Sequence, residues 1–224
     1  MLNALQLSCT GCFQPDASPM SLQSMPLFPL NTVLFPDGHL PLQIFEVRYL
    51  DLIRRCLRED TPFGVITLMD GHEVRKPDEA PLFADTGTLA RVTECHAPLP
   101  TLLKIETRGT QRFRLHRVNQ EKNGLWMGDI EILPGDPETP IPEHLEAAAI
   151  TLEQVVESLT AGGVPGEQIP VHPPYHFDQS GWVANRWCEL LPMQKPTRLQ
   201  LLALDNPLLR LELVNDVLEE QGLV

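Results

Sequence analysis

The sequence predicts an α+β chain: a barrel of short antiparallel strands with one helix inserted, then a bundle of helices. Three observations carry this. Residues 25–133 are dominated by short apolar or alternating runs separated by turn chemistry. One charged segment among them, Glu46 to Glu59, has a helical period instead. A proline-rich stretch, Pro134 to Pro142, then separates these runs from segments in which apolar residues recur at helical spacing. The expected organisation is an extension over 1–24, a β subdomain over 25–133, a linker over 134–141 and a helical subdomain over 142–224.

The first 24 residues are weakly patterned and bear Pro15, Pro19 and several serines, so they are expected to lack fixed structure, with Met20 or Met25 as alternative starts. Cys9 and Cys12 spell a CxxC, but no second pair follows to complete a four-ligand zinc site. Leu27 to Phe35 and Leu40 to Phe45 read as strands around a turn at Pro36-Asp37-Gly38. There proline fixes its own φ and Gly38 is free to take a positive one. In the helix, Tyr49, Leu50, Ile53, Cys56 and Leu57 form the apolar stripe, and Thr61-Pro62 ends it. Phe63 to Met69 is the next strand, Asp70 to Pro81 a loop, Thr86 to Cys95 a strand.

Leu102 to Thr107 and Gln111 to Val118 read as two strands joined by a turn at Arg108-Gly109-Thr110. The second of these would turn Phe113 and Leu115 one way and Arg112, Arg114 and His116 toward solvent. Asn123-Gly124 signals a hairpin into Leu125 to Leu133. Strands this short, with such turns, suggest a closed or half-closed barrel. Beyond the linker, helices are expected over Pro142 to Thr160, Ser180 to Leu191 and Thr197 to Leu204. A last one is capped by Asn206 with Pro207 in its first position. Val164 to Phe177 is an irregular loop.

With 224 residues, 42% of them hydrophobic, the chain can bury a sizeable core. Seventeen basic against 30 acidic residues, a net charge of −13, disfavour nucleic acid and anionic membrane surfaces as partners. No apolar run approaches the length of a membrane span. Five scattered cysteines make no disulfide framework and point to reduced thiols and a cytoplasmic location.

Certain phrases resemble the amino-terminal, substrate-binding domain of the ATP-dependent Lon protease. They are Pro26-Leu27-Phe28-Pro29-Leu30, Val33-Leu34-Phe35-Pro36, Leu40-Pro41-Leu42, Ile44-Phe45-Glu46 and Arg48-Tyr49. The likeness continues through Thr86 to Val92, Thr107-Arg108-Gly109, Arg112-Phe113-Arg114-Leu115, Leu190-Leu191-Pro192, Leu204-Asp205 and Pro207 to Leu211. It implies a PUA-like pseudobarrel followed by a helical bundle. It also implies a non-catalytic module, without a cofactor, that binds unfolded polypeptide or a partner protein, as an adaptor or chaperone-like holder in proteolysis. ATP hydrolysis would need a GxxxxGK[ST] loop, and the sequence contains none. No catalytic or metal-ligating residue is assigned. Leu40, Leu42, Phe45, Arg48, Leu99 and Leu102 are the candidate partner-binding residues. Arg48 has a second reading, as an anchor of the helix.

Two alternatives stand beside this reading. One is a small hydrolase or metal-dependent enzyme using the His172/His176 loop, with Asp178 as a third ligand, or a thiol such as Cys188. Prolines between the two histidines keep them off a common helical face. The other is RNA binding through Arg112, Arg114 and His116.

Overall fold

A computed structural model describes residues 21–70, 81–163 and 169–224 of the chain. Cys9 and Cys12, most of the expected amino-terminal extension, the middle of the expected 70–81 loop (71–80) and the start of the expected 164–177 loop (164–168) lie outside the described residues. The element order is β1 (Gln23–Leu30), β2 (His39–Ile44), α1 (Val47–Glu59), β3 (Phe63–Asp70), β4 (Leu82–Phe83), β5 (Thr86–Leu99), β6 (Leu102–Gln120), β7 (Trp126–Ile132), a 3₁₀ turn (Glu143–Leu145), α2 (Glu146–Ala161), α3 (Ser180–Leu190), α4 (Lys195–Ala203) and α5 (Pro207–Glu220). This is the expected α+β arrangement of a barrel with an inserted helix followed by a helical bundle.

Strands β1, β7, β6, β5 and β3 follow one another around a ring, which a parallel β1–β3 pairing closes (Leu27 opposite Gly64 to Leu30 opposite Thr67). All other ladders are antiparallel. The ring interior takes Leu27, Ile66, Leu89, Phe113 and Ile130, one from each strand. A ring this small has little room. Gly64, Gly87 and Gly128 face the bulk: a Cβ on Gly64 would collide with Leu27, one on Gly87 with the Phe113 ring, and one on Gly128 with Leu115 and Leu27. Outside the ring, α1 lays Tyr49, Leu50, Leu52, Ile53 and Cys56 over Phe28, Leu30, Phe63 and Val65. Leu52 takes the place expected for Leu57, which stays exposed.

Three expectations are corrected. β6 is continuous for 19 residues, with no turn at Arg108-Gly109-Thr110. Gly109 marks a close approach instead: its N–H donates to Gly38 O (2.8 Å) and its carbonyl accepts from Asp37 N (2.9 Å), leaving no space for a Cβ beside Phe35 O. In the Pro36 turn the positive φ falls on Asp37 (63°), while Gly38 is required because a Cβ there would overlap the Glu189 carboxylate. Helix α4 begins at Lys195, two residues before Thr197, with Pro196 in its first turn.

The helical half centres on α3, whose residues from Ser180 to Cys188 are all buried. Leu145, Ala148, Leu152 and Val156 of the preceding segment, Leu201 and Leu202 of α4, and Leu211, Val214 and Leu218 of α5 pack around it. Val33 and Phe35, from the β1–β2 connection, belong to this same core. Arg112 is almost fully buried: it donates to Leu202 O (3.0 Å) and Leu204 O (2.7 Å) and pairs with Asp136 (3.3 Å). Asp136 is shared with Arg210, itself fully buried. The expected solvent-facing position of Arg112 is thus wrong, because its partners come from the linker and α4, far along the chain.

Candidate functional site

β6 is longer than the ring requires. Its first half, with β2 on one side and the end of β5 on the other, projects as a three-stranded flap. The registers fix which side chains share a face, since alternate residues point the same way and paired residues point together. The inner face carries Leu40, Leu42, Ile44, Leu103, Ile105, Val92 and Cys95, all in the core beneath α1. The outer face therefore carries His39, Pro41 and Gln43 from β2, and the exposed Phe45 follows directly after its end. From β6 it takes Leu102, Lys104, Glu106 and Arg108, and from β5 Glu94, His96 and Leu99. At the tip Leu102 pairs with Leu99, and the β2–β6 ladder ends at Ile44 opposite Leu103, with Phe45 the next residue. Phe45 is 61% exposed and Leu99 56%. Arg54 of α1 holds this tip by donating to Pro100 O (2.9 Å).

At the other end of the face lies a pocket of about 350 Å³ lined by Asp37, His39, Glu94, Glu106, Arg108 and His172. His39 Nε2 is 2.8 Å from Glu106, and its ring lies against that of His172, tilted by 38° with centroids 3.9 Å apart. Burial, then the neighbouring His172, holds the His39 imidazole below the usual histidine range. Arg108 pairs with Asp37 (3.1 Å) and donates to Pro173 O (3.1 Å), which fastens the 169–177 segment against the flap.

Of the sequence-derived candidates, the structure pairs Leu99 with Leu102 at the flap tip and leaves Phe45 exposed directly after the last β2 pair. It turns Leu40 and Leu42 to the opposite, inner face. Arg48 is committed internally: it pairs with Glu46 (2.7 Å), donates to Gly124 O (2.6 Å) and lies over the Tyr49 ring. His172 and His176 part company, the first against His39, the second edge-on to Trp182. Among the described residues, no three His, Cys, Asp or Glu side chains gather as a metal-binding group. Cys188 is fully buried and burial pushes its thiol up to about 12, far from a thiolate nucleophile. Arg114 and His116 share Glu131, at 3.8 and 3.1 Å. No helix among the described residues is long and apolar enough to cross a membrane.

The pocket residues His39, Glu106 and Arg108 were missed by sequence reasoning. The signal existed: a period-2 reading carried unbroken through Gly109 places Leu102, Lys104, Glu106 and Arg108 on one face.

Comparison with known proteins agrees with this architecture. Residues 24–220 match the ATP-dependent protease La (LON) substrate-binding domain family. The chain is 29% identical over 119 residues to protein cereblon of Danio rerio and 33% identical over 100 residues to Lon protease 2 of Myxococcus xanthus. These alignments take in 51% and 44% of this chain but only 26% and 12% of the two relatives' own lengths. The crystal structure of a Lon N-terminal domain protein from Xanthomonas campestris superposes over 87% of this chain and 98% of that one, with a TM-score of 0.67 and 32% identity. The chain therefore belongs to the LON substrate-binding domain family.

Proposed function

We propose that this protein is a non-catalytic recognition module that holds exposed apolar segments of protein substrates on the outer face of the flap, as an adaptor or chaperone-like holder in proteolysis. The observation that carries the reading is the exposed apolar tip: Leu99 paired with Leu102 across β5 and β6, with Phe45 directly after the last β2 pair, Ile44 opposite Leu103; Phe45 and Leu99 are mostly in solvent. Apolar side chains kept together on a surface mark an interaction site. Family membership supplies the class of ligand, a protein substrate. The absence of an ATP-binding loop from the sequence fits a module that binds without catalysing.

The test is binding to a reduced, alkylated and therefore permanently unfolded polypeptide, followed by fluorescence anisotropy. The Phe45→Ser/Leu99→Ser double variant removes two exposed side chains and should fold as the parent does by circular dichroism. Affinity should fall about thirtyfold, since each of the two lost contacts removes roughly 1 kcal/mol. Unchanged affinity in a folded variant would take the flap out of the reading.

A further inference from the structure

The outer face of the flap is apolar at its tip and charged below it, and the charges follow the strand period. Along β6 the outward side chains run Leu102, Lys104, Glu106, Arg108. Their lateral neighbours set a partly matching context. Leu99 flanks Leu102, with Phe45 just past the end of β2; Gln43 and His96 flank Lys104, and Pro41 and Glu94 flank Glu106. Arg108 is engaged by Asp37 and Pro173 O, so it is not offered to a ligand. Glu94 is exposed, with the His96 ring 3.8 Å away, and with Glu106 and Asp37 it gives the 350 Å³ pocket more carboxylates than guanidinium.

From this ladder we infer the kind of segment the face accepts: an extended polypeptide with an apolar residue and a lysine or arginine four positions apart, and no basic residue midway. This deepens the proposed function and rests on it. Leu102 and Glu106 are four residues apart, about 13 Å along a strand. An extended ligand lying along β6 has the same rise and the same alternation. Its residues i and i+4 face the flap together, whereas i and i+3 point to opposite sides. An apolar residue set on Phe45, Leu102 and Leu99 therefore delivers the side chain at i+4 to the pocket. The exposed Glu94, backed by Glu106 on which His39 leans, matches a cation there. The residue at i+2 meets Lys104, which repels a second cation and tolerates an acid.

The experiment uses the full chain and fluorescein-labelled peptides that share one leucine or phenylalanine anchor in a serine-rich background. Lysine is placed at i+4, at i+3, or at both i+2 and i+4, and a further peptide has glutamate at i+4. The i+4 lysine peptide should bind about fivefold tighter than the i+3 and the glutamate peptides, the scale of a partly exposed ion pair. Lysine at i+2 as well should cancel the gain, and added salt should narrow the differences. In the Glu94→Gln/Glu106→Gln variant the preference should vanish while the anchor's own contribution persists. If Glu106→Gln unsettles the fold, the exposed Glu94→Lys change should by itself reverse the preference. Equal binding of all four peptides, with the anchor still required, would overturn the ladder and leave the apolar reading standing. Loss of every anchor effect would overturn both.

Discussion

Glu189 carries a carboxyl that α3 turns toward the barrel. It lies 3.3 Å from Arg186, accepts weakly from Phe35 N (3.4 Å) and fills the space left by the missing Cβ of Gly38. Burial outweighs the Arg186 charge, and the carboxyl is pushed up to about 7. Because the folded value exceeds the ordinary 4.5, this group's stabilising contribution is complete below pH 4.5 and is lost as pH rises through 7. Glu189→Gln keeps the shape without the titration. The stability difference between parent and variant, from urea midpoints between pH 4.5 and 8, should shift in the variant's favour as pH rises. A difference that is flat with pH would show that this carboxyl ionises normally. Cys188 next to it shows the same burial without function: a thiol pushed to about 12 is inert packing at neutral pH.

At the scale of elements, β6 does most to shape the molecule. One strand serves the ring in its second half and the flap in its first, and Gly109 is where the two uses meet under the Pro36 turn. Gly109→Ala should cost about 1–3 kcal/mol, the range for overpacking a tight site, because a Cβ there has only the Phe35 backbone to displace. Gly135→Ala is the matched control, with open space around its Cβ, and should be near neutral. Chemical denaturation of both variants checks this, and equal costs would remove the close approach as the reason for the glycine. The same strand shows why some elements are legible in sequence and others are not. Helix α5 announces itself locally: Asn206 accepts from Leu208 N and Leu209 N, and Pro207 sits where its missing N–H is harmless. Helix α1 is as plain from its period. Arg108-Gly109-Thr110, by contrast, has the composition of a turn, and only the distant Phe35 carbonyl explains the glycine. Alternation likewise assigned Arg112 to solvent, because Asp136, Leu202 and Leu204 are 24, 90 and 92 residues away. On the flap, the apolar patch was half visible as separate leucines and a phenylalanine. Its assembly depended on pairings among three strands that local sequence does not encode.

At the scale of the whole molecule, the barrel and the helices are expected to behave as one unit. Phe35, from the barrel side, is fully buried in the helical core, and Leu199 of α4 packs on the cores of both halves. Arg112 and Arg210 grip Asp136 from opposite halves. The tryptophans allow a direct check, since Trp126 lies in β7 and Trp182 and Trp187 in α3. A Trp126→Phe chain reports the helices by fluorescence, and a Trp182→Phe/Trp187→Phe chain reports the barrel. After correction for each variant's own stability from far-ultraviolet circular dichroism, the fluorescence and dichroism transitions in urea should coincide within each chain. A separate fluorescence transition in either would show that the halves unfold independently. Coupling of this kind has a consequence for recognition. One wall of the flap pocket, His172 and Pro173, belongs to a segment that continues through Tyr175 and Phe177 into the aromatic cluster around Trp182 in the helical half. The floor, Glu106 and Arg108, belongs to the barrel. A ligand seated there touches both halves, and any ligand of the folded state stabilises the whole cooperative unit, so a bound peptide should raise the urea midpoints of the Trp126→Phe and Trp182→Phe/Trp187→Phe chains together. A rise confined to the barrel reporter would show that the two halves are not coupled.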